Sequence, residues 1–197
     1  MRVIGITGGI GSGKSMVAEI MRDDFHAYLI STDDIAHKFM EKGEISYNLI
    51  VQYFGKDILN SSGEIDRAKL GRIAHSSKEK LLTLNSFTHP YVMDYVKKLI
   101  EEKRKEKQDI VCVETALPIE AGLTGFCDAI WYVYAPENIR RERLKTTRNY
   151  DNDKIDRIFK NQIRDEDYRK LCTHVLVNDG SREKVIGQIE VLLEKWA

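Results

Sequence analysis

The sequence predicts a three-layer α/β fold: a parallel five-stranded sheet with helices on both faces, a helical insertion and a helical lid. Three observations carry this reading. Short β-branched apolar runs alternate with helical stretches, the pattern of strands buried on both faces of a parallel sheet. The first run, Val3-Ile4-Gly5-Ile6, leads directly into Gly8-Gly9-Ile10-Gly11-Ser12-Gly13-Lys14-Ser15. Residues 31–109, between the second and third runs, show helical patterns only, too long for one crossover helix.

Taken in order, residues 2–7 read as the first strand and 14–24 as the helix after the glycine-rich loop. Residues 27–30, Ala-Tyr-Leu-Ile, read as the second strand. Helical spacing follows in Ala68-Lys69-Leu70-Gly71-Arg72-Ile73-Ala74 and from Val92 to Lys107, whose charge-dense end reads as a solvated face. His89-Pro90 lies in this insertion, where the proline is expected to end or bend a helix. Residues 110–114, Ile-Val-Cys-Val-Glu, read as the third strand, 129–134 as the fourth and 174–178 as the fifth. Residues 136–172 are arginine-rich and helical, broken at Asn149-Tyr150-Asp151-Asn152, which implies a turn between two helices. The last helix, 181–196, has an apolar face of Val185, Ile186, Ile189, Leu192, Leu193 and Trp196.

The octet at 8–15 fits G-x-x-x-x-G-K-[ST], the phosphate-binding P-loop. A phosphate chain needs several inward N–H groups, which glycine-rich curvature supplies. The helix that follows adds unpaired N–H groups and a positive dipole end. Gly9, Ile10, Gly11, Ser12, Gly13, Lys14, Ser15 and Met16 are therefore the expected nucleotide contacts, with Lys14 reaching the β- and γ-phosphates and the Ser15 hydroxyl placed for Mg²⁺. The motif alone does not separate a GTPase, an ATPase and a small-molecule kinase. Right-handed crossovers put other ligand groups at the carboxyl ends of the strands. Asp33 and Asp34 follow the second strand there. Such a carboxylate could take or orient the proton of an attacking hydroxyl, or it could complement the dipole of a helix capped by Ser31 or Thr32. Glu114, ending the third strand, is either a group holding Mg²⁺ or its water shell, or an ordinary polar strand end. Arg140, Arg141, Arg143 and Arg148 cluster after the fourth strand. Arg140 and Arg143 share a helix face from which they could close over phosphates, with Glu137 and Glu142 as alternative surface partners.

Bulk properties limit the partners. The 197 residues suit one α/β domain with an insertion. Lys plus Arg equals Asp plus Glu at 31 each, which argues against bulk attraction to nucleic acid or an anionic membrane. Cys112, Cys127 and Cys172 are widely spaced and fit a reducing cytoplasm better than a disulfide framework. The chain runs at once into a strand and P-loop, so no signal peptide is expected, and no apolar run approaches the ~20 residues of a membrane span. No Asn-Lys-x-Asp guanine-reading motif occurs, which weighs against a GTP switch. Nothing in the sequence sets the oligomeric state.

In this order the features resemble the dephospho-coenzyme A kinases nearly end to end. The resemblance rests on Gly-Gly-Ile-Gly-Ser-Gly-Lys-Ser at 8–15, Asp33 after the second strand, Tyr53-Phe54-Gly55, Asp66-Arg67, His89-Pro90, the acid Glu114 followed by Leu117 and Glu120, Arg143, Gln162, and Asn178 before Asp179-Gly180. The chain departs from the family pattern at His37, where an arginine is usual, at Pro118, displaced by two positions, at Arg140, where a glutamine is usual, and at Thr147, where the last lid arginine is replaced and Arg148 stands one position later. The resemblance implies a P-loop kinase that uses ATP and Mg²⁺ to phosphorylate the ribose 3′-hydroxyl of dephospho-coenzyme A, the last step of coenzyme A biosynthesis. It implies Asp33 as the base, Arg67, His89, Glu114 and Leu117 at the acceptor, Asn178 near the adenine, and Lys14 and Arg143 acting on the phosphates, where the helix face shared with Arg143 puts Arg140 as well. It divides the chain into a nucleotide-binding core of residues 1–34, 108–138 and 171–197, an acceptor subdomain of 35–107 and a lid of 139–170. Another P-loop nucleoside or nucleotide kinase, or a non-kinase nucleotide switch, is the alternative.

Overall fold

The computed structural model describes residues 1–116 and 122–195. Five strands form one parallel sheet in the order β2-β3-β1-β4-β5: β1 (Arg2–Thr7), β2 (Tyr28–Ser31), β3 (Ile110–Glu114), β4 (Ala129–Tyr134) and β5 (His174–Val177). All five expected strands are present, with the second shifted by one residue and the fifth ending one residue earlier. The central position of β1 explains its composition. Val3, Ile4 and Ile6 are buried because a strand paired on both edges and covered on both faces has no polar side. The register sets Ile6 opposite Glu114 on β3 and Trp131 on β4. The end of β1 is thereby brought level with a carboxylate 108 positions away in the chain.

Two compact units are distinguished, Met1–Ile30 with Lys103–Ala197, and Ser31–Glu102. The first holds α1 (Lys14–Asp23), α7 (Glu137–Arg148), α8 (Asn152–Lys160), α9 (Asp165–Leu171) and α10 (Arg182–Glu194). Val17, Ile20 and Met21 of α1 and Val185 and Ile189 of α10 pack with Ile4, Ile6, Cys112, Trp131, Val133 and Leu176 of the sheet in one buried cluster. Each fully buried Ile, Leu or Val contributes about 1.5–3 kcal/mol. Trp196, expected on the apolar face of α10, lies outside the described residues.

The arginine-rich segment forms three helices where two were expected. The Asn149 turn is as the sequence suggested: Asn149 closes α7 in the left-handed region at φ 52°, and the Asp151 carboxylate caps α8 by accepting the Lys154 N–H at 2.7 Å. A second break, from Asn161 to Arg164, carries no glycine or proline and so gave no turn signal.

The second unit holds α2 (Thr32–Phe39), α3 (Ile45–Phe54), α4 (Arg67–Ala74), α5 (Lys78–Ser86) and most of α6 (His89–Lys105). Its own core centres on Ile50, Ile58 and Leu70, with Phe54, Leu84 and Phe87 against them. Pro90 opens α6. The sequence reading had it end or bend a helix; instead it sits in a first turn, where its missing N–H would have had no intrahelical partner.

Candidate active site

The loop between β1 and α1 is shaped by its glycines. A Cβ on Gly8 would lie 2.4 Å from the Val133 carbonyl oxygen, so only glycine lets the loop start against β4. Gly13 has φ +92°, and a Cβ there would lie 2.1 Å from Asn178 Nδ2. The loop thus turns tightly into α1, and neither Gly8 nor Gly13 can carry a side chain. Lys14 Nζ donates to the Gly8 carbonyl at 2.8 Å and the Gly9 carbonyl at 3.4 Å, folding the ammonium back across the loop. Ser12 Oγ is buried in the same loop and has no hydrogen-bond partner among the described residues.

Ser15, exposed in the first turn of α1, donates its hydroxyl to Glu114 Oε1 at 2.9 Å. The β1–β3 register produces this pairing. Met16, expected among the nucleotide contacts, is half-buried and packs against the core below the loop.

From the other side α7 lays Arg140 and Arg143 on the loop. Arg140 Nε donates to the Ile10 carbonyl at 2.9 Å, and Nη2 donates to Gln162 Oε1. The Phe159 ring covers the guanidinium with its centroid 4.3 Å from Cζ. Burial pulls the Arg140 pKa below its ordinary value, opposed by Tyr132, Tyr168, Glu137 and Asp165; an arginine stays charged through such a shift. Arg143 Nη1 donates to the Gly11 and Ser12 carbonyls at 3.4 and 3.3 Å, and Nη2 to the Asn178 carbonyl and Oδ1, both at 3.2 Å. Asn178, buried one residue beyond β5, completes the clamp by donating Nδ2 to the Ser12 carbonyl at 2.7 Å. Arg141 has the surface fate: it pairs with Glu137 on α7 and Asp156 on α8. Arg148 is exposed at the end of α7, and the Thr147 hydroxyl donates back to the Arg143 carbonyl.

Behind these groups Tyr132 of β4 is buried and stacks on Tyr168 of α9, centroids 4.6 Å apart and planes within 8°. Burial, and then the hydrogen bond from its hydroxyl to Asp165, push the Tyr132 pKa up. This contact docks α9 on the sheet. Sequence reasoning found no part in the site for Tyr132 or Asp165, and marked Gln162 only as a match to the family pattern, with no role, because their partners lie 22 to 36 positions away.

The structure brings together Gly9, Ile10, Gly11, Ser12, Gly13, Lys14, Ser15, Glu114, Arg140, Arg143 and Asn178 within the first unit. In the second unit, Asp33 is exposed in the first turn of α2, two residues past β2, and Ser31 Oγ caps that helix at the Asp34 N–H. The cap expected as an alternative therefore exists, with Asp33 and Asp34 in the first turn, where they complement the helix dipole. Arg67 opens α4, whose cap is Asp66; Arg67 is exposed. The amide N–H groups of Lys69 and Ala68 hold the Asp66 carboxyl below the usual carboxylate range. His89 is half-buried at the start of α6. Leu117 lies outside the described residues.

A protein-family model described as dephospho-CoA kinase matches residues 2–184. The chain belongs to the dephospho-CoA kinase family. A dephospho-CoA kinase of Carboxydothermus hydrogenoformans is 39% identical, over 98% of this chain and 94% of its own length. One of Corynebacterium diphtheriae is 37% identical over 100% and 98% respectively. Among solved structures, TT1252 from Thermus thermophilus superposes with a TM-score of 0.82 at 28% identity, covering 100% of this chain and 98% of that one. A dephospho-CoA kinase from Campylobacter jejuni gives 0.72 at 24% identity and supports the fold, covering 100% of each chain. The protein is thus an enzyme of this kinase family, with a P-loop and the sheet order 2-3-1-4-5. Among the described residues no helix is long and apolar enough to cross a membrane.

Proposed function

We infer that the protein transfers the γ-phosphoryl group of ATP to the ribose 3′-hydroxyl of dephospho-coenzyme A, in the cytoplasm, giving coenzyme A and ADP. The observation that carries this is the P-loop with Lys14, and with Ser15 of α1 paired to Glu114 at the end of β3, in a chain matched by the family model over residues 2–184. Phosphoryl transfer asks for positioning and charge stabilisation more than for covalent chemistry, and the loop is built for both. Its main-chain N–H groups and the start of α1 receive the phosphates, and Lys14 moves from the Gly8 carbonyl to the β- and γ-oxygens. Ser12 Oγ adds an unspent donor.

One hydroxyl and one carboxylate, Ser15 and Glu114, suit Mg²⁺, which keeps several waters and takes few protein ligands. Bound with ATP, it would neutralise charge on the β- and γ-phosphates. Asp33 orients or deprotonates the 3′-hydroxyl: the hydroxyl oxygen bonds to the γ-phosphorus, its proton passes to the carboxylate, and the bridging oxygen leaves with ADP. Arg67 and His89, with Glu114 and Leu117, bind the acceptor. Asn178 borders the adenine, and Arg140 and Arg143 act on the phosphates, Arg143 through the loop carbonyls it holds.

The test is ADP release from Mg²⁺-ATP, with and without dephospho-coenzyme A and beside a panel of nucleosides and nucleotides. Stimulation by dephospho-coenzyme A alone is expected. Stimulation by another acceptor instead would overturn the substrate, and stimulation by none would overturn the transfer reaction.

A further inference from the structure

We propose that Gln162 is a positioning residue for phosphoryl transfer, acting through Arg140 and requiring a neutral side chain to do so. The inference rests on the kinase reading above and on Arg140 as a phosphate-facing group. Its basis is how the two lid arginines spend their donors. Arg143 uses both terminal nitrogens on the Gly11, Ser12 and Asn178 acceptors, which makes it a clamp on the loop. Arg140 uses Nε on Ile10 and Nη2 on Gln162, and Nη1 has no hydrogen-bond partner among the described residues. A guanidinium has five N–H donors in a rigid plane, so fixing two of its nitrogens fixes the direction of the third.

Gln162 is placed to set that plane. A Cβ on Gly9 would lie 2.6 Å from Arg140 Nη2 and 3.0 Å from Gln162 Oε1, so the pair sits directly against the loop that receives the phosphates. Phe159, on the last turn of α8, covers the guanidinium face, and the Gln162 N–H bonds back to the Phe159 carbonyl at 3.3 Å. The acceptor and the ring therefore belong to one short segment. The acceptor is an amide, not a carboxylate. It orients Arg140 without cancelling the positive charge that transferring phosphate oxygens need. A carboxylate would hold the guanidinium at least as firmly, by a charge-assisted bond, and would remove that charge.

This gives a test that separates positioning from simple support. Wild-type turnover with dephospho-coenzyme A is measured first, so that failure of the functional reading is seen on its own. Then kcat and KM for both substrates are compared among wild type, Gln162→Ala, Gln162→Glu, Arg140→Gln and the Arg140→Gln/Gln162→Ala double variant, each checked for a thermal midpoint no lower than that of wild type. Arg140→Gln is expected to lower kcat roughly 100-fold. Gln162→Ala is expected to lower it about tenfold, with KM for dephospho-coenzyme A within about twofold, and to add nothing in the double variant. Gln162→Glu should be as thermostable as wild type or more so, yet at least as slow as Gln162→Ala. Wild-type turnover in Gln162→Glu, or penalties that multiply in the double variant, would overturn the proposal. So would normal turnover in Arg140→Gln, which would also remove Arg140 from the chemistry. A full Arg140 penalty beside a neutral Gln162→Ala would overturn the role of Gln162 alone.

Discussion

Arg140 and Arg143 stand three residues apart on one face of α7 and do different work. The i, i+3 spacing was legible and it put both against the P-loop. The division of labour was not, because it depends on which acceptors lie opposite: Asn178 at the end of β5 for Arg143, and Gln162 beyond α8 for Arg140. The same limit holds for Asn178, expected near the adenine and found clamping the Ser12 carbonyl. That contact makes Gly13 irreplaceable. Gly13→Ala puts a Cβ into Asn178 at a positive φ, so ATP affinity is expected to fall at least tenfold while the far-UV circular dichroism stays native; wild-type affinity by titration calorimetry would contradict this. Asp33 is an exposed carboxylate not used in capping α2. Asp33→Asn is expected to keep nucleotide binding and lose most transfer, a fall in kcat of roughly 100-fold or more. Unchanged turnover would remove Asp33 from the mechanism.

At the scale of elements, the strands were readable because a parallel sheet covered on both faces demands apolar runs, and each of the five runs read as a strand is one. The α7–α9 segment was half readable. Asn149 and Asp151 announce the α7–α8 turn by a left-handed residue and a capping carboxylate, whereas the α8–α9 break at 161–164 is made by tertiary contacts. Tyr168 stacks on Tyr132, and Asp165 accepts from its hydroxyl, which fixes α9 to the sheet. The turn can be tested directly. Asp151→Ala removes the acceptor for the Lys154 N–H and should cost about 1 kcal/mol of stability in urea unfolding. Because α8 carries Phe159, kcat should fall as well. A stability loss with no change in kcat would mean that the placing of Phe159 does not depend on this cap.

Over the whole molecule, the buried thiols and Tyr132 tie stability to pH in one direction. Burial pushes the Cys127 thiol up to about 12, and Cys112 and Tyr132 are raised further by the same cause. An acid whose folded pKa lies above its unfolded value contributes fully below the unfolded pKa, near 8.5 for a thiol. That contribution is lost as pH rises from there towards the folded value. The urea midpoint is therefore expected to be lower at pH 10 than at pH 7, and Cys127→Ala should flatten the decline. An unchanged slope in that variant would show that other groups govern the alkaline limit. Cys172, raised to about 12 by burial, acts in the same sense.

The sequence by itself determined the strand content, the P-loop and its lysine, the acid at the end of β3, the arginine-bearing helix and the kinase family. These are local patterns or fixed spacings, each imposed by a period, a turn or a phosphate contact. Only the tertiary structure decided that Ser15 meets Glu114, that Arg143 is spent on the loop while Arg140 keeps a free edge, and that Gln162 and Phe159 hold Arg140 in place. Those pairings join residues 19 to 132 positions apart in the chain. They follow from sheet order and helix docking, and no short-range chemical rule encodes them.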